Sequence, residues 1–251
     1  MAPRYRELLL PAVLSLAACI VLVALGNWQL RRLVWKEDLI AKAAERPLEA
    51  AAALPPVSAW QGFDIAGNEF RPFQLTGRFL HDAEALVFTS LSDAKGPFDG
   101  PGYWVVTPFA LESGGTVFVN RGFAPQVRYR PENRGEARPG NQVTVTGLLR
   151  PNDTPNLFTP DDRPAENVFF ARNVQNLAAA KQTPAPVAPF TIDLVAAETP
   201  RGGLPQAGET RMIFTNNHLA YAVTWYGLAV ALIAVFLSYA WTRLHGSEGR
   251  A

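Results

Sequence analysis

Three histidines and one cysteine are all the imidazole and thiol groups in the 251 residues: His81, His218, His245 and Cys19. A metal site built from so few ligands must be sparse, since closed zinc-type cages take four. His218 has the setting that asks for chemistry. It stands near the start of an apolar run, Thr215 to Trp241, and from Leu219 to Trp241 that run carries no charge over 23 positions. Tyr221, Ala222 and Trp225 follow it at three, four and seven residues, the spacing of one helical face. A neutral imidazole is a nitrogen ligand. The competing reading makes His218 an interfacial residue that anchors a helix end, like Asn216 and Asn217 before it.

The run that carries His218 is long enough to span a bilayer. At about 1.5 Å per residue its uncharged part reaches roughly 35 Å, against a hydrocarbon core of about 30 Å. It closes on Tyr239, Trp241 and Arg243, an aromatic-then-basic boundary pattern. Gly227 and Ala231 form a small-xxx-small pair suited to packing on another helix. A second apolar run lies at the other end of the chain, where Leu8 to Leu25 holds 18 positions without charge. Leu16-Ala17-Ala18-Cys19 resembles a lipoprotein-processing signal, but the apolar run continues through Leu25, which favours a retained helix. From Gly26 to Arg46 apolar residues recur at helical spacing among charges, with Trp28, Arg31 and Arg32 placed for a headgroup level, and Pro47 stops the pattern. Two spans put both termini on one side. Arg4 and Arg6 before the first run are opposed by Arg31, Arg32, Lys36 and Lys42 after it, so charge bias assigns no orientation.

Between Pro47 and Pro205 lie 19 of the 21 prolines, which excludes long helices there. Short β-type runs appear at Phe70–Phe79, Ala85–Leu91, Tyr103–Leu111, Thr116–Arg121, Gln142–Leu149, Val168–Arg172, Phe190–Val195 and Glu209–Phe214. Glu112-Ser113-Gly114-Gly115 reads as a hairpin connection, and Asn173 as the cap of a short helix through Lys181. The predicted architecture is a membrane protein: two transmembrane helices flank a β-rich, mostly antiparallel α+β domain. Its segments are residues 1–7, a span at 8–27, the domain at 28–214, a span at 215–241, and a tail at 242–251.

Several function classes find no support in the sequence. A net charge of +1 gives no electrostatic case for nucleic acid. There is no Gly-x-Ser-x-Gly, no phosphate-binding glycine loop and no His-Glu-x-x-His, so no enzyme is expected. Asp161-Asp162 after Pro160 reads as a turn, and Asn120-Arg121-Gly122 either as a strand exit with a buried, carboxylate-paired arginine or as a docking surface.

Six segments in order resemble the Surfeit locus protein one family, membrane assembly factors for haem–copper cytochrome oxidase. They are Leu25-Gly26-x-Trp28-Gln29-Leu30-x-Arg32-Leu33-x-Trp35-Lys36; Phe73-x-x-x-Gly77-x-Phe79; and Gly100-Pro101-Gly102-Tyr103 leading to Val106-Thr107-Pro108-Phe109. Then come Val117-x-Val119-Asn120-Arg121-Gly122-Phe123-x-Pro125; Gly147-x-Leu149-Arg150-Pro151; and Asn216-Asn217-His218-Leu219-x-Tyr221-Ala222-x-Thr224-Trp225-Tyr226. The resemblance implies a bacterial inner-membrane protein with cytoplasmic termini and a periplasmic central domain. It also implies a part in delivering haem a to the catalytic subunit of cytochrome c oxidase, among other oxidase assembly and haem a synthesis proteins. On that reading His218 is the axial ligand of the haem iron. Tyr221, Ala222, Trp225 and Trp28 would form apolar walls, and Arg32, Arg31 or Arg211 would pair with propionates. Trp104 stands where many relatives have histidine, and Phe123 and Phe169 where tryptophan is common, so a second haem ligand at position 104 is excluded. Two rival readings remain: a docking scaffold for oxidase intermediates to which haem is incidental, and a membrane-anchored periplasmic enzyme or sensor with a ligand in its β-domain, whose sign would be a small-molecule pocket unrelated to the membrane face.

Overall fold

The computed structural model describes residues 3–136, 138, 140–210 and 216–245. The chain divides into two compact units, residues 1–41 with 213–251, and residues 42–212.

The first unit is a pair of helices. Helix α1 runs unbroken from Pro3 to Glu45, so the predicted span and its amphipathic continuation are one helix. It passes Pro11 and ends where Pro47, which has no N–H, tightens the chain into a 3-10 turn over Arg46–Leu48. A second, 28-residue helix covers His218–His245, starting three residues later than expected and running four further. Both are long and apolar enough to cross a membrane. Most of their large apolar side chains are exposed, including Leu9, Leu10, Leu14, Val230, Val235 and Leu237. The predicted starting residue Thr215, the strand end 211–214 and Arg211 lie outside the described residues.

The second unit is built from eight strands. They are β1 (Ala52–Ala53), β2 (Pro72–Phe79), β3 (Ala85–Leu91), β4 (Gly100–Leu111), β5 (Thr116–Pro125), β6 (Val143–Arg150), β7 (Val168–Phe169) and β8 (Val187–Leu194). Helix α2 (Pro131–Arg134) sits between β5 and β6, and α3 (Val174–Lys181) between β7 and β8; the helix at His218–His245 is α4. Asn173 caps α3 as expected, its side chain accepting from the Asn176 N–H at 3.0 Å. The strand order is β1-β2-β6-β8-β5-β4-β3-β7, and β2 also pairs with β4. That extra pairing closes β2, β6, β8, β5 and β4 into a five-stranded barrel, with the strand order of the OB-fold class of Greek-key barrels.

Among the described residues five of the eight strand pairings are antiparallel, as expected for most of the sheet; what the expectation did not contain is the closed barrel and its three parallel pairings. β5–β8, β1–β2 and β3–β7 are parallel, and the other pairings antiparallel. Residue alternation reports which face a side chain takes; it is blind to the direction of the neighbouring strand. β5 and β8 lie side by side only because α2, β6, β7 and α3 intervene between them.

The core follows from closure. Val117 and Val119 of β5 point into the barrel with Leu75, Phe109, Leu149, Phe190 and Ile192. Phe118 points out, under α3, with Val87, Val106, Phe169 and Leu177. Both faces of β5 are covered, so all ten of its residues are buried. One mouth of the barrel is plugged from the 3-10 helix Val57–Gly62: Trp60 meets Phe190 edge-on at 6.2 Å while its Nε1 donates to the Pro55 carbonyl at 2.9 Å. The hairpin at 112–115 leaves room for this plug, since a Cβ on Gly115 would lie 2.6 Å from the Trp60 ring.

Gly122 is the glycine with the least freedom to change. Its φ is +129°, and an added Cβ would lie 2.2 Å from the Gln206 carbonyl oxygen, in the backbone bridge between Phe123 and Gln206. Gly122→Ala should lower stability by at least about 1–3 kcal/mol in denaturant unfolding of the detergent-solubilised protein. Gly62→Ala, with nothing within 4 Å of the new Cβ, should change it by less than about 0.5 kcal/mol.

Candidate functional site

In the helix pair, α1 and α4 run antiparallel and are joined by two polar bonds. His218 Nδ1 lies 2.7 Å from Gln29 Oε1, and the Tyr226 hydroxyl donates to Asn27 Oδ1 at 2.8 Å. The Tyr226 ring packs on Gly26, where a Cβ would fall 2.7 Å from it. Gln29 is 8% exposed, an amide held in place rather than waving in solvent. With Gln29 Oε1 as the acceptor in this contact, Nδ1 is the donor, and Nε2 makes no hydrogen bond among the described residues.

The face below His218 is specific. Ala222 and Ala229 are buried, at 1% and 4% exposure, and Trp225 between them is half-buried. The Trp225 indole Nε1 is buried without a hydrogen-bond acceptor, an uncommon state for a donor. Ala222 and Ala229 stand at i+4 and i+11 from His218, on one face of the helix. The expected small pair behaves otherwise: Gly227 and Ala231 are exposed, and a Cβ on Gly227 would meet nothing within 4 Å. They lie off the buried face because they are displaced by five and nine residues from Ala222, not by multiples of a helical turn.

The structure thus brings His218, Ala222 and Trp225 together with Gln29. Tyr221 and Trp28 are half-exposed, at 55% and 49%, and turn away from the buried face. Arg32 is exposed, with its guanidinium stacked 4.3 Å over the Trp35 ring. Gln29 is the residue that sequence reasoning passed over. Its signal was present in the spacing, because Gly26, Gln29 and Leu33 share one face of α1.

Residues 16–230 match the SURF1 family. The chain belongs to that family. It is 34% identical to Surfeit locus protein 1 of Homo sapiens over 90% of this chain and 75% of that protein. A SURF1-like protein of Monosiga brevicollis is 32% identical over 88% of this chain and 84% of its own length. The SURF1-like protein of Drosophila melanogaster is 32% identical over 87% and 72%.

The other family segments fall in the barrel unit, where their residues hold structure. Asn120 Nδ2 donates to Asp193 Oδ1 at 3.2 Å, and Arg121 is 5% exposed with Nη2 2.7 Å from Glu136 Oε2. The buried, carboxylate-paired reading of Asn120-Arg121-Gly122 therefore holds. Trp104 is partly buried and packs edge-on against Phe123 at 6.0 Å, and Phe123 and Phe169 are fully buried. Asp162 is spent on local order, accepting from the Phe170 N–H at 2.8 Å and from Asn176 Nδ2 at 3.2 Å.

A second ionic group makes stability pH-dependent. Arg172 bridges Asp193 at 2.8 Å and Asp153 at 3.1 Å. Burial alone would raise the Asp153 carboxyl, but the charge of Arg172 and hydrogen bonds to its side chain and backbone outweigh that and hold it below the usual carboxylate range. A depressed folded-state pKa contributes stability above the unfolded value of about 3.9 and loses it as pH falls through the folded value. The wild-type unfolding midpoint should therefore drop on acidification below about pH 4. Asp153→Asn should be less stable at neutral pH and show a shallower acid slope.

Proposed function

We propose that this SURF1-family chain is a non-enzymatic, two-span membrane assembly factor for haem–copper cytochrome c oxidase. In this role it holds haem a as cargo at His218 and passes it to the catalytic subunit. The observation that carries the reading is the Nδ1–Gln29 hydrogen bond. Histidines that ligate metals almost always donate their other ring N–H to an oxygen, which fixes the tautomer and aims the free nitrogen. His218 has that arrangement, with Nε2 left to bind, and the half-buried Trp225 offers an indole N–H without an acceptor on the same face. The residues present fit a single axial imidazole. Among the described residues no group of three or more His, Cys, Asp or Glu side chains could hold a metal ion. One imidazole suits a carrier, because the cargo must be released. The iron's open coordination is what the imidazole would satisfy; Gln29 would set the ring's orientation, and the apolar helices would exclude water around it.

Orientation follows the family expectation, with both termini cytoplasmic and the barrel unit in the periplasm of a bacterial inner membrane. A docking scaffold without haem is the second reading, favoured by Leu157 and Phe158, which stand 95% and 89% exposed on a loop of the barrel unit. Co-purification with oxidase subunits from a haem a-deficient strain would support the scaffold; strict dependence on haem would remove it.

Protein purified in detergent from cells that make haem a should show a haem absorption band, lost or shifted in His218→Ala. A normal band in that variant would overturn the assignment. Gln29→Leu should fold but bind haem about 10–100-fold more weakly, while Gln29→Glu, which keeps an acceptor for Nδ1–H, should stay near wild type.

A further inference from the structure

The second mouth of the barrel is open, and we propose that it binds a small organic carboxylate. The strand register places it. Gly77 of β2 pairs with Val143 of β6, Gly147 pairs with Leu194 of β8, and Asn120 of β5 pairs with Asp193, so Phe79, Val143, Leu194 and Arg121 collect at the end opposite the Trp60 plug. A cavity of about 250 Å³ lies there, lined by these residues with Glu198 and Pro205. Barrel mouths are among the usual places for small-molecule sites. At about 30 Å³ per water this space holds roughly eight waters, or one ligand the size of benzoate.

Its polar feature is Arg121. The guanidinium stacks 5.0 Å over the Phe79 ring, Nη2 is paired with Glu136, and Nη1 is buried with no hydrogen-bond acceptor. Nη1 lies 3.8 Å from Glu84 Oε2, but Glu84 is already engaged. Its two oxygens accept from Arg134 at 2.9 and 2.7 Å, and Arg138 approaches at 3.3 Å. Glu136 Oε1 accepts from Arg134 at 2.7 Å, while its Oε2 pairs with Arg121 Nη2 by charge at 2.7 Å and makes no hydrogen bond among the described residues. Three guanidiniums, Arg121, Arg134 and Arg138, thus share the two carboxylates of Glu84 and Glu136. A guanidinium does not discharge to relieve the mismatch. One positive charge is in excess beside the cavity, and Arg121 Nη1 and Glu136 Oε2 are both buried without hydrogen-bond partners among the described residues; a carboxylate supplies the charge and an acceptor for Nη1.

The remaining lining narrows the class. Phe79, Val143, Leu194 and Pro205 ask for an apolar body. Glu198, whose Oε1 accepts from the Thr146 N–H at 2.9 Å, places a carboxylate in the same lining and disfavours a dianion. The fit is a monovalent carboxylate on a compact hydrocarbon. None of these residues belongs to the helix pair, so the site stands or falls independently of haem binding.

The test is ligand-observed NMR on the full-length protein in detergent, with benzoate as probe, benzamide as its neutral isostere, and inorganic phosphate as a dianion. Benzoate should bind at millimolar concentration or better, with benzamide and phosphate weaker by about tenfold or more. Arg121→Lys should lose binding to a similar degree. Because that variant disturbs a buried network, Val143→Phe, which fills the cavity and leaves every ion pair intact, should abolish benzoate binding while the protein stays folded. No benzoate binding in the wild type, equal binding of benzamide or phosphate, or unchanged binding in Val143→Phe would each overturn the site.

Discussion

Backbone pairing along one edge of β4 decides the shape of the barrel unit. The first half of that edge, Gly100 to Val106, is occupied by β3, and the last residues, Phe109 to Leu111, by β2. Unpaired strand edges expose donors and acceptors that must find partners. Here the long strand splits its edge between two neighbours, and the second of them turns a sheet into a closed barrel. Closure creates an interior for Phe109, Phe190 and Ile192, and it creates two mouths. One is filled by Trp60; the other carries Arg121. A barrel that stayed open would have neither.

Burying charge is the second constraint, and the unit meets it by grouping arginines with acids. Arg134 is fully buried and Arg121 nearly so. An ion taken out of water is costly unless paired and hydrogen-bonded, and removing one partner of such a pair typically costs about 3–5 kcal/mol. The group around Arg172 meets the condition with Asp153 and Asp193. The group around Arg121 meets it only in part, leaving Nη1 without an acceptor. Residues of the Asn120-Arg121-Gly122 segment serve both groups, which ties the strand's end to the loops from 130 to 136 and the backbone at 206.

The helix pair works by a different economy of contacts. Most of its large apolar side chains are exposed, while the small Ala222 and Ala229 are buried and Gly26 receives the Tyr226 ring. In lipid, packing and interhelical hydrogen bonds hold helices together, since tails are as apolar as leucine. Gln29–His218 and Asn27–Tyr226 are such bonds, each made with a side-chain amide of α1.

The sequence by itself determined the elements whose signal is local. Uncharged runs of 18 and 23 residues specify two long helices, alternation between turn residues specifies most strands, and Asn173 specifies a cap. It also singled out His218, because a histidine heading an apolar run is conspicuous in one dimension. Tertiary structure alone decided what depends on residues far apart in the chain. The parallel pairing of β5 with β8, the β2–β4 closure and the shared carboxylates of Arg121 and Arg134 are all long-range, and alternation carries no information about a partner's direction. The same limit hid Gln29, a polar residue among Trp28, Arg31 and Arg32 whose role appears only once α4 is beside it. It also misplaced the helix contact at Gly227, since a small residue marks a possible close approach, while which face is buried is settled by the partner helix.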